Sequence, residues 1–270
     1  MLQIVIKKKF LLFLLQKKML ILLSPTKNFD FETKHQTKVS TEPIFIEKSK
    51  IIIEKLKTFS SKDLEMLMKI SSELAIENLD RNHNWTSENK ISRQAIFAYS
   101  GLVFQRLNAK EFNQKDLEFA QKHLRILSGL YGILRPLDAI QAYRLEMQTK
   151  IEIEKSKNLY KFWENEITNS INQDLKKSDF IVNLASNEYF KTLIKSKIKT
   201  QIITPIFKQY SKGEYKILTV YAKEARGLMT NFIIKNKISN PENLKLFDVE
   251  GYFFDVKTSD DNNYVFLKNK

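Results

Sequence analysis

Five consecutive apolar residues, Met19-Leu-Ile-Leu-Leu23, end abruptly at Ser24-Pro25. An unbroken run of that length predicts a strand buried on both faces. After a polar loop through Pro43, apolar positions return at three- and four-residue steps, predicting helices over 48–59 and 62–79, the second capped by Ser60 or Ser61. The same period predicts helix over 86–100 and 102–107, divided by Gly101, and over 159–175 and 222–237. Strands are predicted at 143–147, with Arg144 and Glu146 on one side, and at 180–185. The segments 202–210 and 215–221 flank Ser211-Lys-Gly-Glu214 as a β-hairpin, and 251–256 with 264–267 form a second hairpin over Asp260-Asp-Asn-Asn263.

The stretch from Phe119 to Asp138 is the most motif-like. Phe119, Ala120, Leu124 and Leu127 have helical spacing, Ser128-Gly129 stops the helix, and Pro136 suits the first turn of another running through Ile140. Between them Gly129-Leu130-Tyr131-Gly132 makes a tight turn flanked by Arg125 and Arg135. Two helices joined in this way can aim backbone N–H groups at a phosphate without reading bases. A plain helix connection, with Gly closing one helix and Pro opening the next, fits the same residues.

No linker, repeat or low-complexity segment divides the chain. The expected fold is therefore α/β (mixed α+β), a single compact domain with a mixed sheet and surrounding helices. The 270 residues carry a net charge of +14, which points to an anionic partner; with the five lysines of the first eighteen residues removed, +9 is left. Richness in Lys, Ile, Asn and Phe fits an AT-rich genome, so arginine is the better guide. Of the seven arginines, Arg125, Arg135, Arg144 and Arg226 fall in the motif-like segments, and the guanidinium fork binds phosphate or carboxylate bidentately. Cysteine is absent, which excludes disulfides, thiol chemistry and Cys-ligated metals. Residues 1–18 lack a long apolar core and a small-residue cleavage site, and are read as an extension or a mis-called start, loosely attached, with 19–270 as the domain.

Ser24-Pro-Thr-Lys27 has the Ser-x-x-Lys spacing of acyl-transfer nucleophiles, but the companion motifs are missing, and a ligand contact or a helix cap fits as well. His35, His83 and His123 lie far apart without metal-ligand spacing, so no metal and no cofactor are expected. Asn183 and Ser186 mark a strand end, a favoured place for binding groups, though a local N-cap explains them equally. Lys223 and Arg226 share a helix face.

The segments 19–30, 119–138, 143–147, 182–190, 221–229 and 251–255, in that order, resemble the YaaA family of bacterial peroxide-stress-response proteins. The resemblance implies a cytoplasmic, non-enzymatic protein that limits oxidative damage to DNA and protein by keeping unincorporated iron low. It also implies a helix-hairpin-helix and a basic cleft that bind duplex or branched DNA without sequence preference. On that reading Arg125, Ser128, Gly129, Leu130, Tyr131, Gly132 and Arg135 contact DNA, while Ser24, Lys27, Arg144, Asn183, Ser186, Lys223 and Arg226 line a cleft. The protein is expected to be a monomer without membrane association. Thr26, Asn28, Gln148, Glu224 and Asn231 depart from the family pattern, the last two where basic residues are common. Two rivals are an enzyme acting on a phosphorylated or nucleotide-like ligand in that cleft and an iron-binding regulator.

Overall fold

The computed structural model of the chain describes residues 18–35, 37–87 and 92–269. The expectation for residues 1–18 falls almost wholly outside them. Lys18 is described and is not loose: its backbone N–H donates to Asp179 Oδ1 at 2.8 Å and its ammonium to the Asp174 carbonyl at 3.1 Å.

The centre of the molecule is β1 (Met19–Leu23), all five residues fully buried. In chain order follow α1 (Ile46–Lys57), α2 (Ser61–Met68), α3 (Ser72–Asn84), β2 (Arg93–Gln94), α4 (Ala95–Ala98), α5 (Leu102–Leu107) and α6 (Gln114–His123). Then come β3 (Leu124–Ser128), β4 (Gly132–Leu134), β5 (Ala139–Ile140), α7 (Leu159–Asp174), β6 (Phe180–Asn183) and α8 (Asn187–Phe190). The last elements are β7 (Gln201–Ser211), β8 (Glu214–Lys216), α9 (Thr219–Lys235), β9 (Tyr252–Phe254) and β10 (Asn263–Lys268). The main sheet has the order β4-β3-β1-β6-β7-β10-β9, with β8 pairing β7 beside this path. The run from β3 to β10 is parallel throughout, and β4, β8 and β9 add antiparallel pairs, so the fold is the mixed α/β domain expected.

Both expected β-hairpins form, but the second strand of the first is cut short at Lys216, and residues 219–221 belong to α9 instead. β7 and β8 enclose the Lys212-Gly213 turn, and β9 pairs β10 antiparallel. The helix expected over 62–79 is two: Lys69 takes a left-handed φ of 52° and ends α2, and Ser71 caps α3. Ser60 caps α2 as predicted, forming a reciprocal box with Asp63. The helix expected over 86–100 is only α4 within its described residues. The segment 143–147 forms no strand; it is extended chain that alternates buried Tyr143, Leu145 and Met147 with half-buried Arg144 and Glu146.

The helix-hairpin-helix is corrected. The helix stops at His123, and Leu124–Ser128 is instead β3, pairing in parallel with β1 (Ile21 opposite Leu124, Leu23 opposite Ile126). Residues 129–131 turn the chain into β4, so the unit is a β-hairpin at the sheet edge. β3 is buried on both faces, so its apolar residues do not alternate with polar ones as they would in a half-exposed strand. Pro136 sits in a turn closed by the Asp138 N–H on the Arg135 carbonyl at 3.1 Å, and no second helix follows. Gly132 has a φ of +69°, and a Cβ there would lie 2.8 Å from the Trp163 ring, so the turn admits no larger residue.

Candidate functional site

The chain leaves β1 for β3 on one side, while β6 lies on the other side of β1 and leads away to β7. The crevice outside the carboxyl ends of β1 and β6 is thus a topological switch point, where open α/β sheets bind ligands. The loops that follow these two strands are joined there: Ser24 Oγ accepts the Ser186 N–H at 2.8 Å and donates to Ser186 Oγ at 3.2 Å.

Around that bridge lies a cavity of about 540 Å³, within the size range of small-ligand sites. Its lining takes Ser24 and Lys27 from the first loop, Arg144 and Glu146 from the extended segment, Ser186 and Glu188 from the second loop and α8, and Lys223 and Arg226 from α9. α9 can bring Arg226 this close because Gly227 packs directly on α5; a Cβ there would lie 2.7 Å from Arg106 Cβ. Six of the seven expected cleft residues therefore meet in one place. Asn183 does not line it: buried under the loop, its Oδ1 accepts the Ala185 N–H at 3.1 Å and shapes the turn into α8.

The charges in the cleft are unequally matched. Lys27 Nζ lies 2.7 Å from Glu146 Oε1. Among the described residues, the guanidinium groups of Arg144 and Arg226 have no ion-pair or hydrogen-bond partner, and Arg144 Nε is buried without one. Burial pushes the Arg226 group below its ordinary range, a sign of how little water reaches it. The other five arginines each lie beside an acid: Arg81 by Glu77, Arg93 by Asp30, Arg106 by Glu224 and Glu250, Arg125 by Asp174, and Arg135 by Asp138. Tyr143 also lines the cleft; burial lifts its hydroxyl to about 12, so it stays protonated, bonded to Ser128 Oγ at 2.6 Å and to the Tyr99 hydroxyl at 2.8 Å.

The residues expected to touch DNA do not form a cradle. Arg125 is buried, and its Nε and Nη2 donate to Asp174 Oδ2 at 2.9 and 2.6 Å. Ser128, Leu130 and Tyr131 are buried, and the hydroxyl of Ser128 accepts the Tyr131 N–H at 3.0 Å. The Gly129 carbonyl accepts Trp163 Nε1–H at 2.9 Å, and Gly132 lies under the same ring. Arg135 is the most exposed of them, yet it spans Asp138 and the Glu42 carbonyl. Apolar side chains bury most of this hairpin in the sheet.

Ser24 and Lys27 do not meet as a nucleophile and base; the first bonds Ser186 and the second Glu146. His35 stacks on Phe97, His83 bonds the Leu79 carbonyl and His123 the Met19 carbonyl, three separate places. Among the described residues no group of three or more His, Asp or Glu side chains is arranged to hold a metal ion. Glu224 pairs with Arg106 at 3.2 Å and Asn231 donates to the Leu107 carbonyl at 2.7 Å, so both departures from the basic pattern serve the contact between α5 and α9. The sequence reading missed Glu188 as a cleft residue; its place in the first turn of α8, just after the loop that follows β6, was the available signal.

A parallel-centred sheet with a basic cleft at its switch point defines an α/β protein of ligand-binding architecture. The chain belongs to the YaaA family of peroxide stress proteins: the family model described as peroxide stress protein YaaA matches residues 19–258. Among curated relatives, the UPF0246 protein of Aliivibrio fischeri (strain ATCC 700601 / ES114) is 46% identical over 258 residues, covering 93% of this chain and 99% of its own. The UPF0246 protein RSc2009 of Ralstonia nicotianae is 46% identical over 254 residues, with 93% and 99% covered. The UPF0246 protein CLL_A2361 of Clostridium botulinum is 45% identical over 253 residues, with 92% and 98% covered.

Proposed function

We propose that this member of the peroxide stress family works by holding a phosphate-bearing ligand in the cleft between β1 and β6. The observation that carries the reading is the contrast among the arginines: five have acidic partners, and the two without, Arg144 and Arg226, line one cavity. A guanidinium kept half-buried and unpaired is poised for an anion arriving from outside that offers two oxygens to its fork, as a phosphate does. Lys223, exposed at the rim, adds attraction over a longer range. Titration calorimetry with nucleoside monophosphates tests this. Arg144→Ala and Arg226→Ala should each weaken binding at least about tenfold, with Arg81→Ala unchanged as the charge-matched control. No binding by wild type, or equal weakening by all three variants, overturns it.

A second reading, that the cleft grips the DNA backbone while the protein limits unincorporated iron and oxidative damage, is favoured by the net charge of +14. Duplex affinity would then fall steeply with salt, by a slope of about −0.9 per phosphate neutralised, and Arg226→Ala would make it shallower by about one unit. Either ligand belongs to a cytoplasmic monomer on this reading. Among the described residues no helix is long and apolar enough to cross a membrane.

A further inference from the structure

The cleft carries charge of both signs. Arg144, Arg226 and Lys223 form its basic side. Lys27 and Glu146, 2.7 Å apart, largely cancel each other. That leaves Glu188. Among the described residues no cation lies within ion-pair distance of its carboxylate, whose Oε1 accepts a long backbone bond from the Gln148 N–H at 3.3 Å, with the Met147 backbone also bonding to it. It is half-buried, and burial, followed by the neighbouring charge of Glu146, raises it above the ordinary glutamate range against the pull of the backbone bonds and Lys27. Backbone bonds from 147–148 are the hydrogen bonds the protein offers this carboxylate, and its charge repels the same anion that the arginines attract.

A run of phosphates would set one anion against Glu188 for each it brings to Arg144 and Arg226. A single phosphate attached to a cationic group satisfies both sides. We propose that the cleft selects a zwitterionic small molecule, a phosphate monoester that also carries an ammonium group, with the phosphate on Arg144 and Arg226 and the ammonium on Glu188. The proposal rests on the phosphate reading above and narrows it, since an ammonium offers Glu188 a charge-assisted hydrogen bond that the free protein does not supply. It also gives the unpaired carboxylate the same standing as the unpaired arginines: each waits for one end of the ligand.

The test compares methyl phosphate with phosphoethanolamine by calorimetry, in buffer with a chelator so that no metal ion bridges phosphate and carboxylate. Phosphoethanolamine should bind wild type at least about tenfold more tightly. Glu188→Gln keeps an oxygen for the Gln148 N–H and should therefore fold; it should remove the preference and bind methyl phosphate more tightly than wild type does. Arg226→Ala should weaken both ligands. If methyl phosphate binds as well as phosphoethanolamine, or if Glu188→Gln keeps the preference, the zwitterion proposal is overturned while the phosphate reading stands. If neither ligand binds, both fall. Should Glu188→Gln not fold, the two ligands on wild type decide alone. Vesicles of phosphatidylethanolamine form a last arm, and binding to these in preference to free phosphoethanolamine would overturn the assignment to a soluble small molecule.

Discussion

A half-buried guanidinium without a carboxylate loses hydration and gains nothing within the protein, so Arg226 weakens the fold that carries it. Arg226→Met should therefore raise stability by about 1 kcal/mol while abolishing ligand binding, read as a higher urea midpoint with an unchanged slope. Arg125 is the opposite case. Its guanidinium is buried and satisfied by Asp174 and two carbonyls, so Arg125→Met should cost about 3 kcal/mol and leave ligand affinity alone, checked by the same two measurements. These two residues show what sequence can tell about a site. Ser186 was singled out by its place at a strand end, Arg226 by the helix face it shares with Lys223, and Arg144 by its residue type in a motif-like segment, because those depend on local pattern. Whether an arginine is already occupied depends on what faces it: Asp174 lies 49 positions from Arg125, and nothing near Arg125 in sequence announces it.

At the scale of the element, the hairpin from β3 to β4 is the instructive failure. Phe119, Ala120, Leu124 and Leu127 have helical spacing, yet Leu124, Ile126 and Leu127 fit a buried strand equally well, and β1, the strand that decides between them, is about a hundred positions upstream. The tight turn was legible, because Gly132 needs its positive φ whatever the flanks do. Gly132→Val should destabilise by more than about 3 kcal/mol, through both the backbone and the Trp163 contact, and a Trp163 fluorescence melt will show it. The helix before the hairpin offers a prediction with pH. Asp116, in the capping box of α6, is buried; burial raises its carboxyl, but its contacts with Lys237 and Lys235 outweigh this and hold it below the usual 3.8. A depressed acid stabilises the fold above its unfolded value and loses that contribution as pH falls through its folded one. Asp116→Asn should accordingly be less stable than wild type at pH 7, with the gap closing below about pH 4. A gap that persists at pH 2 would show that packing, not charge, sets the effect.

Over the whole molecule one apolar cluster runs from β1 through both faces of the sheet and includes Trp85 and Trp163. Unfolding followed by far-ultraviolet circular dichroism and by tryptophan fluorescence should give coincident transitions, and separated midpoints would reveal two folding units. The class of fold was legible in the sequence, because one fully apolar run, a second mostly apolar strand and two hairpins among amphipathic helices leave few alternatives. The order of the strands was not, since a pattern specifies that a strand is buried and not which neighbours bury it.

That order has a consequence for how the protein is made. Among the described residues β1 is the first strand to be synthesised, but its partners are β3 and β6, about 100 and 160 residues further on. At roughly 5–20 residues per second the ribosome takes about 5–20 s to supply even the first of them. For that interval Met19–Leu23 hangs from the ribosome as a bare apolar strand with two open edges, a natural substrate for a nascent-chain chaperone. Crosslinking from position 21 in chains stalled near residue 110 should capture such a chaperone, and chains stalled near residue 260 should have released it.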